Sequence, residues 1–226
     1  MRTLTVTCGP YAAPSATNIR TASSISGAGN VTLNGSLVSS GTATLDQPRR
    51  VLFTSAGNDS GITFTVTGTD WNNSPVSETL TGANATTAYT VYDYKTVTSI
   101  VSSGASAGNV SIGTNGVASS RPIFLDNYAN GDVYIQTNTG GVTGPSYTLQ
   151  YSNDNPNNAQ YGIGTTTYTT MSWISSALSG FAPATTAVSG TQSGAPTCMR
   201  LLLSNAGSST TAYVIATFNQ SGMVAY

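Results

Sequence analysis

The segment Ile62–Thr67, ITFTVT, alternates an apolar residue with a threonine at every step, and the same two-residue rhythm recurs along the chain. Successive side chains of a β-strand point to opposite faces of its sheet, whereas an amphipathic helix repeats its apolar positions about every 3.6 residues. A chain written in period two therefore folds into sheet, with one face packed and the other wetted, here by hydroxyls. Arg2–Cys8 has the same form: Leu4, Val6 and Cys8 face one way, and Thr3, Thr5 and Thr7 the other. The pattern predicts further strands over Asn30–Leu33, Arg50–Thr54, Ile62–Thr67, Val76–Thr81, Tyr89–Tyr94, Thr96–Val101 and Asn109–Ile112. After residue 120 it predicts Ile123–Leu125, Asp132–Thr137, Ser146–Tyr151, Met199–Ser204 and Ala212–Phe218. Clusters of Gly, Asn, Ser and Pro separate these segments at the spacing of a sandwich. Helical character is confined to one short turn at Trp173–Leu178. The predicted class is all-β, an antiparallel β-sandwich or jelly-roll-like fold.

The Gly- and Ser-rich run GTNGVASSRP, Gly113 to Pro122, closes one group of strands, and Ile123 opens another. This predicts two tandem β domains, 1–120 with a leading arm and 121–226, of ordinary domain size. One continuous sandwich is the alternative. AGNVTLNG at Ala28 echoes AGNVSIGTNG at Ala107, but both open strands after a Gly turn, and shared turn chemistry accounts for the likeness.

What the chain faces the world with is decided by its charges. Its 226 residues carry 7 Lys+Arg, 8 Asp+Glu and no His, for a net charge of -1, so 7% are charged against about 25% in an ordinary soluble domain. Its polar surface must be Ser, Thr, Asn and Gly, which gives little repulsion between copies and favours association. Disorder does not fit, because 38% of the residues are hydrophobic and twelve are Tyr.

Arg49 and Arg50 form the one adjacent basic pair, too little for nucleic acid. No run reaches the about 18 apolar residues of a membrane span, and MRTLTVTCGPYAAPSATN lacks the apolar core of a signal peptide, so a soluble, unexported protein is expected. Cys8 and Cys198 are expected as buried free thiols, with an end-to-end bridge as the alternative.

Catalysis has little to work with. Without His, the Ser/His/Asp, Cys/His and His-metal arrangements are unavailable, and the eight acids are scattered singly. A glycosidase would need two of them about 5–10 Å apart, which nothing in the sequence indicates. No Gly-rich run has the context of a phosphate loop. SNDNPNN, Ser152 to Asn158, has one carboxylate, Asp154, and is expected to be a turn rather than a calcium loop. The Asn-X-Ser/Thr triplets at Asn30 and Asn84 follow from composition. No catalytic, cofactor or metal residues are expected.

Two local features of Gly61–Gly82 invite interpretation. Trp71, on a polar loop with Asp70, Asn72 and Asn73, is either folded back over its sheet or held out as a contact anchor. Glu78 shares a face with Val76 and Leu80, so it sits at an edge, on a bulge or beside an Arg.

SAGNDSGITFTVTGTD, then PVSETLTGANATTAYTVYDYKTVTSI and SAGNVSIGTNG, resemble in order a module of tailed-bacteriophage virion proteins, including head decoration (cement) proteins. VYIQTNTGGVTGPSYTLQYSNDNPNN, Trp173 and MRLLLSNAGSSTTAYVIATFNQ are similar to the C-terminal β module of such proteins. The likeness spans roughly 55–226. It implies a non-enzymatic protein of the virion, assembled in the host cytoplasm, that binds the major capsid protein on the outer capsid surface and stabilises the shell. It also implies a homo-oligomer, a trimer before a dimer. The alternative is a tail or fibre component binding a host receptor or glycan, with Trp71, Tyr92 and Tyr94 as stacking platforms. A polysaccharide-cleaving tail protein would require the missing carboxylate pair. Tyr11, Arg49, Arg50 and Trp71 are the capsid-contact candidates, being Trp, Tyr and Arg outside evident strands. Against this, Trp71 could cap its own sheet and the arginines could pair with acids such as Asp46.

Overall fold

The computed structural model describes residues 2–125, 131–140, 146–154, 171–181, 183–194, 196–204 and 213–220. Every regular element among them is a strand, and the strands pair antiparallel. At Trp173–Leu178 there is no helical turn: β14 (Ile174–Ser175) pairs with Tyr151 and Gln150.

The chain divides into two compact units, one of Met1–Ala13 with Val117–Tyr226 and one of Pro14–Gly116. This corrects the division at residue 120, because the leading residues are not an arm of the N-terminal domain. Strand β1 (Arg2–Cys8) pairs along its whole length with β17 (Tyr213–Gln220), from Arg2 opposite Gln220 to Cys8 opposite Val214. Its inward residues Val6 and Cys8 join one core with Val214, Ala216 and Phe218, and that burial holds the two chain ends together.

The unit containing both ends is a sandwich. One sheet runs in the order β1, β17, β12 (Val133–Gly140), β15 (Ser189–Gln192). The other is built on β13 (Tyr147–Ser152) and β16 (Cys198–Leu203), with β14 beside β13 and β11 (Ile123–Phe124) beside β16. Val133, Ile135 and Phe218 of the first sheet share an interior with Leu149, Met199 and Leu201 of the second. Strand β12 shows how period two produces this: Val133, Ile135 and Thr137 are buried, whereas Tyr134, Gln136 and Asn138 are exposed. The buried Tyr147 hydroxyl lies 2.5 Å from Thr137 Oγ1 and donates to the Thr186 carbonyl at 2.7 Å, so the polar end of this core ring is satisfied.

In the Pro14–Gly116 unit the sheet order is β5 (Thr42–Ser55), β9 (Tyr94–Ser102), β6 (Thr63–Thr69), β7 (Pro75–Thr81). The opening ITFTVT alternation is realised here. Phe64 and Val66 are fully buried, and Phe64 stacks on Phe53 with ring centroids 5.0 Å apart. The outward threonines pair across strands: Thr65 with Thr79 at 2.8 Å, Thr67 with Ser77 at 3.3 Å and Thr69 with Thr96 at 2.7 Å. Hydroxyl pairs of this kind are the cross-strand contacts that a sheet without charges can make.

Bulges interrupt several pairings, among them β6 with β9, where β9 advances from Ser99 to Val97 while β6 advances from Thr67 to Gly68. From Thr44 to Arg49 β5 advances five residues while β9, from Thr96 to Tyr94, advances two. Pro48 lies in the surplus and has no N–H to give a ladder. Lys95 Nζ donates to the Leu45 and Asp46 carbonyls at 2.8 and 2.9 Å, which holds the bulged backbone. Strand β2 (Ser15–Ser23), against β10 (Val110–Ser119), has two such register shifts. In β10, Gly113 is required: a Cβ there would lie 1.8 Å from the Ser15 carbonyl oxygen.

Candidate interaction surfaces

Six of the scarce charged side chains are buried, and several of them bond to backbone groups. Arg20 is buried and donates to the carbonyls of Ser23 (2.8 Å), Ser24 (3.2 Å) and Val110. Arg200 donates from Nε to Gln150 Oε1 at 3.0 Å and stacks over the Trp173 ring at 4.2 Å. The carboxylates accept from amides: Asp59 Oδ1 from Ala107 at 2.6 Å, and Asp154 Oδ2 from Ser172 at 2.6 Å. Asn155–Asn158 of the SNDNPNN run lie outside the described residues. Each such bond offsets the desolvation of a polar group that a neutral interior would leave unpaired. The consequence lies outside: the described outward faces of the sheets carry hydroxyls, amides and rings.

Of the four contact candidates, two are interior. Tyr11 is 2% exposed and lies in the same core cluster as Cys8. Arg49 is 1% exposed; its Nη1 lies 3.3 Å from Asp46 Oδ2, and its Nη2 donates to the Asn115 carbonyl at 2.9 Å. Both serve the folded interior in this structure and offer no surface, which corrects their assignment as outward anchors. The physical reasons are the β1–β17 pairing, which carries the following Tyr11 into the sandwich core, and the β5 bulge, which turns Arg49 toward Asp46.

Trp71 is folded back rather than held out. Its loop runs from Asp70 to Ser74, with Asn73 in the left-handed region at φ 61. Asp70, fully buried, accepts from the amides of Asn72 (2.8 Å) and Ser74 (3.0 Å), an Asx turn that fixes the hairpin. Burial raises the Asp70 carboxyl above its ordinary value of 3.8, and those two bonds only partly counter it. Trp71 is half-buried and its Nε1 is shielded from solvent.

Arg50 is the candidate that reaches a surface. Its Nε lies 4.0 Å from the buried Asp93 carboxylate, and its guanidinium sits 5.8 Å above the Tyr89 ring. Beside it the chain leaves β8 (Thr87–Tyr89) and forms a loop before β9 begins at Tyr94. Thr90 anchors this loop: Val51 N–H donates to its Oγ1 at 2.9 Å, and its own N–H donates to the Val51 carbonyl at 3.0 Å. Glu78 completes the anchoring, accepting from the amides of Val91 at 2.7 Å and Tyr92 at 2.9 Å. Its strand, β7, is the edge of the sheet, as its place on an apolar face required, but its partners are backbone amides and no Arg. The result is a preorganised tip presenting Tyr89 at 51% and Val91 at 66% exposure.

Sequence reasoning missed this tip by drawing one strand over Tyr89–Tyr94. The available signal was Asp93, which an unbroken strand would place on one face with Tyr89 and Val91. Tyr94 is fully buried, its hydroxyl donating to the Val66 carbonyl at 3.3 Å, and Tyr92 is half-buried. They form no stacking platform with Trp71.

Cys8 and Cys198 are free and buried, as expected, and burial pushes both thiols up to about 12. No protein-family model matches the chain, and no curated protein matches it.

Proposed function

We propose that this chain is a non-enzymatic structural protein of a tailed-phage virion, a head decoration protein that binds the outer capsid surface and ties neighbouring major-capsid subunits together. The observation that carries this reading is the inward use of charge. Six of the charged side chains (Arg20, Arg49, Arg200, Asp59, Asp70 and Asp93) are buried, which leaves broad neutral sheet faces suited to repeated, salt-tolerant contact. The likeness of the strand phrases to decoration proteins supports it. So does the Arg50–Tyr89–Val91 tip, which has the composition of a binding hot spot: an aromatic and an arginine held rigidly beside an exposed apolar side chain.

The mechanism is mass action. A ligand that binds the assembled shell and not its free subunits stabilises the shell by its binding free energy at every site occupied. The sheet edges, with few of the Lys or Pro residues that keep strands apart, favour a homo-oligomer, and a trimer is the form the likeness implies. Stained gels of purified particles test the assignment. A copy number comparable with that of the major capsid protein is expected. A handful of copies per particle would place the chain in the tail, as a receptor-binding component.

A further inference from the structure

The outward face of β12 and β17 has a different character from the tip on the other unit. On β12 it presents Tyr134, Gln136 and Asn138, all exposed, and on β17 the exposed Tyr213 followed by the half-buried Ile215, Thr217 and Asn219. The register sets Tyr134 opposite Asn219, Gln136 opposite Thr217 and Gly140 opposite Tyr213. The two tyrosine levels are therefore separated by the six steps from Tyr134 to Gly140, about 20 Å of strand. Tyr134 is 43% and Tyr213 37% exposed.

Tyr213 does not stand off the sheet. A Cβ on Gly140 would come 2.2 Å from its Cζ and 2.4 Å from its hydroxyl oxygen, so the phenol lies down across the glycine. Between the two rings run the amides of Gln136, Asn138 and Asn219 and the hydroxyl of Thr217, with one apolar side chain, the half-buried Ile215 opposite Asn138. Thr3 Oγ1 donates to Asn219 Oδ1 at 2.7 Å, which orients that amide with Nδ2 as its donor. No residue of these rows is charged.

We propose that this face binds a neutral polysaccharide, laid along the strands from Tyr134 to Tyr213. A sugar ring offers an apolar C–H face, which an amphipathic aromatic covers, and a rim of hydroxyls that both donate and accept. Asn and Gln match that rim because each amide carries donors and an acceptor in one group. Charge selects the occupant. Nucleic acid and acidic polymers bind through cations that neutralise them, and this face has none to offer. A second copy of the chain is a poorer occupant, because the core of a lasting homodimer interface is largely apolar, and here Ile215 is a single half-buried aliphatic side chain among amides and a hydroxyl. Tyr213 has a second use, covering a strand glycine, so Tyr134 is the decisive residue.

The test is native gel electrophoresis of the intact protein in gels cast with dextran, galactomannan or arabinoxylan, with alginate as the acidic control. Migration should be retarded by at least one neutral polymer, equally at low and high salt. Tyr134→Ala should weaken that retardation by roughly tenfold or more, the cost of removing an aromatic anchor. Tyr134→Thr, whose side chain suits an exposed strand, should do the same with an unchanged circular dichroism spectrum. Thr79→Ala on the other unit should leave retardation intact. Four results would overturn the proposal: retardation by no neutral polymer, retardation by alginate alone, retardation unchanged in both Tyr134 variants, or a Tyr134-dependent oligomer that no polysaccharide affects.

Discussion

Replacing Arg49 with methionine separates an interior role from a surface one. The substitution keeps an unbranched stem in the space the arginine fills and removes the guanidinium. At least two interactions go with it. The donation to the Asn115 carbonyl at 2.9 Å is charge-assisted and partly buried, and such bonds contribute about 1.5–3 kcal/mol. The contact with Asp46 is longer, 3.3 and 3.4 Å, and the carboxylate is 30% exposed, so it is discounted to about 0.5 kcal/mol. The sum is a loss of about 2–3.5 kcal/mol. Arg49→Ala additionally empties the volume of two methylenes, about 1.5 kcal/mol more before any cavity cost. Asp46→Ala should cost less than about 1 kcal/mol. Urea unfolding followed by a probe in the Pro14–Gly116 unit measures all three. An Arg49→Met variant within about 0.5 kcal/mol of the parent would refute the reasoning. A stable variant that no longer bound capsids would return Arg49 to the surface.

Glu78→Ala should lower stability by about 2 kcal/mol, after allowance for its partial exposure, and speed hydrogen exchange at the Val91 and Tyr92 amides before the rest of the sheet opens. Unchanged protection at those two amides would show that the tip holds itself. Asp70 should lower stability as pH rises. Its folded-state value is raised by burial, so its protonated form is the one favoured by folding, and that contribution is present at acid pH and lost as pH climbs through the raised value. Asp70→Asn should therefore flatten this part of the pH–stability curve; a parent-minus-variant difference that grew with pH would contradict the sign. Cys8 and Cys198, with thiols pushed up to about 12 inside the core, should react with a disulfide reagent only at the rate of unfolding. Fast labelling of the native protein would show them accessible.

The strands with strict alternation were legible. Arg2–Cys8 and the hairpin of β6 and β7 stand where period two placed them, and Phe64 and Val66 are core because only one face of ITFTVT is apolar. What escaped was non-local or irregular. Nothing near Arg2 announces β17, since a pairing between chain ends leaves no mark in either segment. Strand β2 escaped because its bulges set Ile19 and Arg20 side by side in the interior, which destroys alternation. The first half of β5 escaped because Asp46-Gln47-Pro48 reads as a turn, and it is a bulge within a longer strand. The surface tip escaped for the opposite reason: Tyr89–Tyr94 alternates well enough to pass for a strand, while Thr90 and Glu78 bind the backbone into a loop. Composition did foretell a neutral exterior. That six of the charges would be buried was not legible, because several of their partners, such as the Val110 carbonyl for Arg20, the Asn115 carbonyl for Arg49 and the Ala107 amide for Asp59, lie far along the chain.

The most direct test of the account is the occupancy of this protein on purified capsids that lack it, measured by co-sedimentation from low to molar salt. A neutral, preorganised contact predicts saturable binding that persists across that range, raises the temperature at which the shells open, and is lost when Tyr89 and Val91 are both replaced by Ser. Absence of binding, or binding that disappears with salt as a contact between opposite charges would, would contradict it.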